Sequence, residues 1–537
     1  MTTSIPAGIA AYWASDTSVP LVDSSVGDVL RRQCERTPDA TALNFAGSHG
    51  LVTRTYRQLF DEATTGAMSL LTHVSPGERV AVWAPNSIDW VVLEYAAALA
   101  GVVLTPLNPA LTPAEVTAML GHSRVKLVFA VPEARGKPLL AQANEISTHV
   151  AGISAVLNLH ARTPHDGWPP GPRPVSIELP VVEPIAPFLL QFTSGTTGRP
   201  KCAVLSHRAA FNVARMCALG IDDGPNQVYC TPLPLHHVAG TVSMVLGSLS
   251  VGGALTLLPA YDPLSLLDAL ESTRATMVGV VPTMAVDLLA EPSFRSRSLT
   301  LRTLLGGGSA ISPALVRDIE STLGIEMLVG YGQSESPSIT QTRRGDPAEV
   351  KATTIGRPLP NREVRIRRPE SDETAAFDEI GELCTRSKLV MDGYWDDPSA
   401  TAEAIDAAGW LRTGDLCSMD EGGLISFHGR IRDVLIVGGE NVYPREIENV
   451  LLAHPAIFDA AVVGAPDRRL GERPAAFLRL NDSAVVTENE LRDYVSERLA
   501  TIKVPREWHF VAEFPLTAAG KVKKFELQRQ LQDGAKL

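Results

Sequence analysis

Between Thr55 and Val131 the chain alternates capped helical stretches with short apolar runs, and no other feature constrains its architecture as strongly. Thr55-Tyr56-Arg57-Gln58 reads as a capping box, in which a threonine hydroxyl and a glutamine amide satisfy backbone groups at a helix start. The helix it opens is expected to end before Glu78. Residues 79–83 then read as a strand, 86–101 as a helix and 102–106 as a strand. Thr112-Pro113-Ala114-Glu115 combines an N-cap, a proline at the first helical position and a glutamate at the third. Residues 125–131 form another apolar run. Helices that alternate with apolar strands must cover the faces of a sheet, so an α/β fold of layered sheets is predicted.

The rhythm is interrupted by the Pro/Gly-rich stretch 163–174, read as a surface connection, and resumes from Phe188 to about Ile339. Short strands and turns dominate 356–427 and predict a small β unit. The sharpest boundary lies at Gly429–Asp433. Beyond it, 434–437 reads as a strand, and Tyr443-Pro444 opens a helix with Ile447, Val450 and Leu451 on one face. Residues 460–463 and 475–480 read as strands. Thr487 caps a helix striped by Leu491, Tyr494, Val495 and Leu499. The expected organisation is a large N-terminal domain, 1–430, and a small α+β C-terminal domain, 433–537. The large domain divides into α/β subdomains at about 1–187 and 188–350 and a β unit at 351–430.

Composition narrows the function. Of 537 residues, 45% are hydrophobic and 20% charged, a balance that builds large cores without staples. The net charge of −12 weighs against a general nucleic-acid binder, which must neutralise phosphates. Six scattered cysteines without a C-x-x-C pair argue against a disulfide framework or zinc site. The N-terminus lacks the basic and apolar regions of a secretory leader. The uncharged stretch 238–260 holds Gly240, Gly247, Gly252 and Gly253 and reads as a buried helix, a glycine break and a strand, not a membrane span. A cytoplasmic setting is expected. The terminal Ala535-Lys536-Leu537 loosely resembles a peroxisomal address and leaves that compartment as an alternative.

The chemistry concentrates in a few strings. The strand at 188–192 runs into Thr193-Ser194-Gly195-Thr196-Thr197-Gly198-Arg199-Pro200-Lys201. Its glycines let backbone N–H groups close on an anion, its hydroxyls add donors and Lys201 adds a point charge. The spacing is not that of a Walker A loop, because Gly198 and Lys201 are three apart and Cys202 stands where Ser or Thr would be needed. Further strings follow: Leu233-Pro234-Leu235-His236-His237-Val238-Ala239-Gly240, Gly306-Gly307-Gly308-Ser309, Tyr331-Gly332-Gln333-Ser334-Glu335, Trp410-Leu411-Arg412-Thr413-Gly414-Asp415, Gly429-Arg430-Ile431-Arg432-Asp433, Gly438-Gly439-Glu440-Asn441-Val442-Tyr443-Pro444, and Gly520-Lys521. In this order, over about residues 25–530, they resemble the motifs of the adenylate-forming superfamily. That superfamily includes acyl- and aryl-CoA synthetases, peptide-synthetase adenylation domains and firefly luciferase. The G-G-E-N-x-Y-P string is most similar to the CoA synthetases.

The resemblance implies ATP, Mg2+ and CoA as reaction partners. Thr193, Ser194, Gly195, Thr196, Thr197, Gly198 and Lys201 would hold the phosphates, and Glu335 the magnesium ion, a hard cation suited to carboxylate oxygen. Gly307, Gly308, Ser309, Tyr331, Gly332, Gln333 and Ser334 would surround the nucleotide. Asp415 would accept the ribose hydroxyls, with Arg430 beside it. Lys521 would bridge the attacking carboxylate and the α-phosphate, offsetting charge that builds in the transition state. The small domain would then rotate about Arg432 and bring Gly438 and Gly439 to line a pantetheine tunnel. His237 lines the junction of the ATP and acid sites and is assigned no base chemistry; His236 is read as structural. Lys503, Arg506, Lys523, Lys524 and Arg529 are read as a solvated face or contacts to CoA phosphate.

The residues expected around the acid, Val238, Ala239, Thr241, Gly306 and Ser336, are neutral, and an unpaired charge buried among them would be costly. No aspartate follows His237 to pair with a substrate amine. The expectation is an ATP-dependent ligase that joins a hydrophobic acid, aryl or medium- to long-chain, to CoA. The alternatives are a stand-alone acyl-AMP ligase that loads an acyl carrier protein, and a non-catalytic acyl-nucleotide sensor. Retention of both Glu335 and Lys521 argues against the sensor.

Overall fold

A computed structural model describes residues 10–48, 50–160, 168, 177–193, 201–221, 226–307, 313–481, 484–516 and 522–532. The three capping boxes are formed, at Thr55 ahead of helix Tyr56–Leu70, at Thr112 ahead of Pro113–Ser123 and at Thr487 ahead of Glu488–Ser496. Helix Ile88–Ala100 is started by the Ser87 hydroxyl and ends at Gly101. It is apolar around almost its whole circumference and buried on all sides, as such a helix must be.

The helix lies in a layered α/β body. One sheet has seven strands in the order Gly393–Tyr394, Lys201–Ser206, Pro187–Thr193, Val103–Leu107, Arg79–Trp83, Leu127–Ala130 and Ala155–Asn158. A nine-stranded sheet runs from Arg357–Pro358 through Ser336–Gln341, Glu326–Gln333, Thr303–Gly307, Met277–Gly279, Val228–Thr231 and Ala254–Leu257 to Thr41–Gly47 and Gly50–Thr55. A single apolar core joins strands of both sheets to the helices Val26–Arg36, Tyr56–Leu70, Ile88–Ala100 and His207–Ile221. Tyr12–Trp13, Glu363–Arg367, Gly381–Arg386, Leu411–Met419 and Ile425–Arg430 make an antiparallel five-stranded sheet with its own core.

Strand membership crosses the expected divide at 187/188. Pro187–Thr193 and Lys201–Ser206 extend the first sheet, because Leu189 pairs with Leu104, and the early hairpin Thr41–Thr55 extends the second. Local pattern reports where a strand is, and long-range pairing decides which sheet it joins. Within the Pro/Gly-rich connection only Trp168 is described; it is buried, with its ring 5.1 Å from that of Phe129.

Beyond Asp433 a separate sheet forms from Glu440–Val442, Leu435–Val437, Gly471–Leu480 and Ile457–Asp467, with Glu507–Phe510 parallel to Gly471–Leu480. It packs on helices Pro444–Leu452 and Glu488–Ser496 on one side and Lys524–Gln532 on the other, around two cores of its own. Among the described residues no helix is long and apolar enough to cross a membrane.

Trp83 sits in the middle of the first sheet, fully buried, with its indole N–H donating to the Asn108 carbonyl at 3.0 Å. Trp83→Ala leaves a cavity and an unpaired carbonyl, so it should lower unfolding stability by about 3–5 kcal/mol. Chemical denaturation checks this, and a loss under about 1 kcal/mol would contradict the packing described.

Candidate active site

The phosphate side is built on a strand pair. Thr193 ends one strand, Lys201 begins the next, and the two are partners in register. Ser194, Gly195, Thr196, Thr197 and Gly198 lie outside the described residues. The edge strand Gly393–Tyr394 pairs with the Lys201 strand and brings Tyr394 under Lys201, whose Nζ lies 4.9 Å from the ring centroid. The Tyr394 hydroxyl donates to Glu335 Oε1 at 2.7 Å. Burial, together with the Glu335 charge, pushes the Tyr394 phenol above its ordinary value, so it stays a donor. Glu335 stands in the turn between strands Glu326–Gln333 and Ser336–Gln341, and its carbonyl accepts from the Met391 N–H at 2.8 Å. Cation, ring and carboxylate therefore stand in a row. One carboxylate with phosphate oxygens fits magnesium, which keeps few protein ligands. Among the described residues no cluster of three or more His, Cys, Asp or Glu could hold a metal alone.

The nucleoside side centres on Asp415, which is 3% exposed. The Tyr331 hydroxyl donates to its Oδ2 at 2.5 Å, and Arg430 Nε lies 3.3 Å from its Oδ1. Asp415 and Arg430 are direct partners on adjacent strands, so sheet register sets this ion pair. Burial and Asp415 hold the Tyr331 phenol well above its usual value, which keeps the proton on the tyrosine. The turn is fixed from behind: the Asp415 N–H donates to Thr413 Oγ1 and the Gly414 N–H to Glu382 Oε1, while Glu382 is paired with Arg367. Gly307 pairs with Gly330 on the next strand. Gly332, Gln333 and Ser334 lead into the Glu335 turn. Gly308 and Ser309 lie outside the described residues.

On the acid side, Asn86 clamps the histidine segment. Its amide donates to the carbonyls of Leu233 and Leu258, and its oxygen accepts from the Leu235 N–H. His237 Nδ1 accepts from the Ala239 N–H at 3.2 Å, which assigns the ring proton of the neutral imidazole to Nε2. Desolvation, with His237 and the Arg135 guanidinium nearby, pushes His236 down to about 3, and its carbonyl accepts from Gln191; it is neutral and structural. Val238 is buried and Ala239 half-buried at the start of a π-helix, Ala239–Leu246. Gly306 is buried on its strand. Thr241 and Ser336 are both fully buried and turn their hydroxyls to polar side chains of the scaffold. Thr241 donates to Glu94, and Ser336 accepts from the fully buried Arg362. Sequence reasoning missed Glu94, Arg362, Asn86, Glu382 and Tyr394. The single acid beyond the first turn of the otherwise apolar run 88–100 was a signal for Glu94; the other four had none without the fold.

Arg430 leads directly into the turn Ile431–Asp433, which has no buried residue, and Arg432 is about half exposed, 3.6 Å from Asp433. Gly438 and Gly439 form the two-residue loop between strands Leu435–Val437 and Glu440–Val442, both at positive φ (62° and 89°). The hairpin itself requires glycine there. Lys521 lies outside the described residues. Its flanks are tied down, by the Leu516–Val522 bridge and by Lys524, which reaches buried Glu448 at 2.6 Å. Lys503 is likewise paired with Glu446.

The model of the AMP-binding enzyme family matches residues 30–395, and that of the AMP-binding enzyme C-terminal domain matches 446–521. The chain is 32% identical to the mitochondrial medium-chain acyl-CoA ligase ACSF2 of Rattus norvegicus, covering 100% of this chain and 92% of that protein. It is 33% identical to the putative acyl-CoA synthetase YngI of Bacillus subtilis (strain 168), covering 95% and 97%. Among solved structures, ATP-bound MatB from Rhodopseudomonas palustris superposes with a TM-score of 0.86 at 27% identity, covering 95% of this chain and 100% of that one.

Tyr331→Phe removes a hydrogen bond to a buried carboxylate, a contact worth about 1.5–3 kcal/mol. The KM for ATP should rise about tenfold or more while the KM for the acid stays within about twofold. Initial rates at varied ATP and acid check this; equal shifts in both constants would contradict a nucleoside role.

Proposed function

The chain belongs to the AMP-binding enzyme family of adenylate-forming enzymes and is an AMP-forming acid–thiol ligase, and from that premise we propose that it couples a hydrophobic carboxylic acid, aryl or medium- to long-chain, to CoA. The observation that carries this reading is the joint placement of Tyr331, Asp415 and Arg430 beside Glu335, Tyr394 and Lys201. These suit a nucleoside and its phosphates respectively. The hydrophobic acid is supported by the charge-capable side chains nearest the expected pocket, Glu94 and Arg362, which are both turned onto hydroxyls of the scaffold. The medium-chain relative supports the aliphatic end of the range.

In the proposed first step, an oxygen of the substrate carboxylate attacks the α-phosphorus of ATP. The phosphoanhydride bond between the α- and β-phosphates breaks, and pyrophosphate leaves. Both reactants are anions, so the barrier is largely electrostatic. Lys201 and residues 193–198 would neutralise the β- and γ-phosphates, Glu335 would hold a magnesium ion, and Asp415 with Tyr331 would fix the nucleoside. A magnesium ion bound there supplies charge neutralisation. His237, with its proton on Nε2, offers a neutral donor on the acid side. Lys521 reaches the joining oxygens.

In the second step the C-terminal lobe, 433–537, pivots at Arg432. The CoA thiol gives up its proton, its sulfur attacks the acyl carbon, and the bond to the AMP oxygen breaks. The unburied turn Ile431–Asp433 suits a pivot, which only has to absorb dihedral change.

The reading is tested by measuring pyrophosphate release over a panel of aryl and aliphatic acids, with and without CoA. Acid-dependent release and an acyl-CoA product formed with CoA alone are expected. Release without any thioester would favour a carrier-protein acceptor. Lys521→Ala should abolish adenylation while thioester formation from supplied acyl-AMP persists. Equal loss of both half-reactions in single turnovers would contradict its role. Arg432→Pro should spare pyrophosphate release and suppress thioester formation; equal impairment of the two would remove the pivot from this turn.

A further inference from the structure

We infer that Glu94 is a positioning residue for the acid-binding half of the site, acting through Thr241 on the π-helix that His237 opens. The inference rests on the ligase reading above and names a residue that the reading leaves unused.

Glu94 is the only acid in helix Ile88–Ala100 after its first turn, and it is 0% exposed. Its Oε1 accepts from Thr241 Oγ1 at 2.8 Å. Its Oε2 is buried with no hydrogen-bond partner among the described residues. Burial pushes the carboxyl up to about 8, against a smaller opposing effect of the Thr241 bond, so the group is protonated at neutral pH. The titratable group that interacts with it is Tyr95 on its own helix, which in turn faces Tyr56 on the neighbouring one. Both are phenols raised by burial and hence neutral.

A neutral acid in an apolar helix gains little by being there. A Leu–Val pair of similar volume would avoid desolvating two polar groups. What the pair adds is direction. Thr241 belongs to Ala239–Leu246, and π-helical turns are rare and concentrate at functional sites. The first turn is closed by the His237 carbonyl, which accepts from the N–H groups of Gly240 at 2.9 Å and Thr241 at 3.1 Å. The His237 ring is held by the Ala239 N–H of the same turn. Between them, Gly240 packs so tightly that a Cβ would stand 2.3 Å from the Pro234 carbonyl oxygen. The turn that aims the imidazole is therefore fixed below by Pro234 and to the side by Glu94. Glu94 is the anchor that comes from a different layer of the fold.

Because the folded-state value is raised, the folded protein keeps a proton that the unfolded chain releases. Stability is then full on the acid side and declines as pH rises from about 4.5 toward about 8. Above that, a charge forms in the core opposite Thr241, and the π-helix loses its fixed partner. The KM for the acid should accordingly rise in the wild type as pH passes about 8.

The test uses the full-length enzyme and the acid giving the fastest pyrophosphate release. Glu94→Leu and Thr241→Val should each raise the acid KM about tenfold and leave the ATP KM unchanged, and the double variant should be no worse than either single one. Glu94→Gln keeps the acceptor and the shape, so it should rescue the acid KM at pH 7 and abolish the rise above pH 8. It should also flatten the fall in Tm between about pH 4.5 and 8. Parallel shifts in the ATP KM, additive effects, or a Tm profile in Glu94→Gln identical to the wild type would each overturn the inference. If Glu94→Leu fails to fold, Thr241→Val, which removes one hydroxyl, decides the same question. A wild type that releases no pyrophosphate with any acid would instead overturn the ligase reading, and the Tm profiles would still decide whether Glu94 is a protonated anchor.

Discussion

Asp415 ties two sheets of the site together. One carboxylate is shared between the Tyr331 hydroxyl, carried by the nine-stranded sheet, and the Arg430 guanidinium, carried by the antiparallel sheet. Arg430 is also the last residue before the exposed turn that leads to the C-terminal lobe. A nucleoside that engaged Asp415 would therefore perturb a contact that joins two sheets next to the base of that lobe. The support behind the carboxylate is correspondingly rigid, with Glu382 and Thr413 holding the backbone of the turn.

The chemical problem is to join two anions, and the charges in the described site are arranged in that light. Positive charge at Lys201 is placed over an aromatic face and, among the described residues, not against a carboxylate, which would leave the ammonium available to a phosphate. Lys503 and Lys524 are spent on Glu446 and Glu448 and serve the lobe's architecture. The acid side holds neutral groups: a His236 that stays uncharged, a protonated Glu94 and a His237 oriented by a backbone N–H. An apolar acid tail would meet no full charge among these.

Much of this was legible in the chain itself, and the limits have a physical cause. Capping boxes at Thr55, Thr112 and Thr487 act within four residues, so sequence reports them faithfully. Motif strings located Tyr331, Asp415, Glu335 and Lys201. The partners that make those residues work lie far away: Tyr394 is 59 residues from Glu335, and Asp415 is 84 from Tyr331. Glu94 and Thr241 are 147 apart. Such pairings follow from which strands and helices become neighbours, and local periodicity carries no such information. The same limit explains why 187/188 divides the pattern without dividing the sheets. Gly438 and Gly439 show the converse case, since a turn with two positive φ angles accounts for both glycines whether or not they also line a ligand path.

The interleaving of strands has a consequence for biosynthesis. Tyr12–Trp13 finds its partner only at Val364–Arg365, and the edge of the first sheet closes only with Gly393–Tyr394. At roughly 5–20 residues per second of translation, the emerging N-terminal segment waits tens of seconds for those partners. During that interval the nascent body exposes unpaired strand edges. The C-terminal lobe, whose strands pair only among themselves, is free of that delay. Ribosome-bound chains truncated before residue 395 should accordingly be the species most dependent on chaperones.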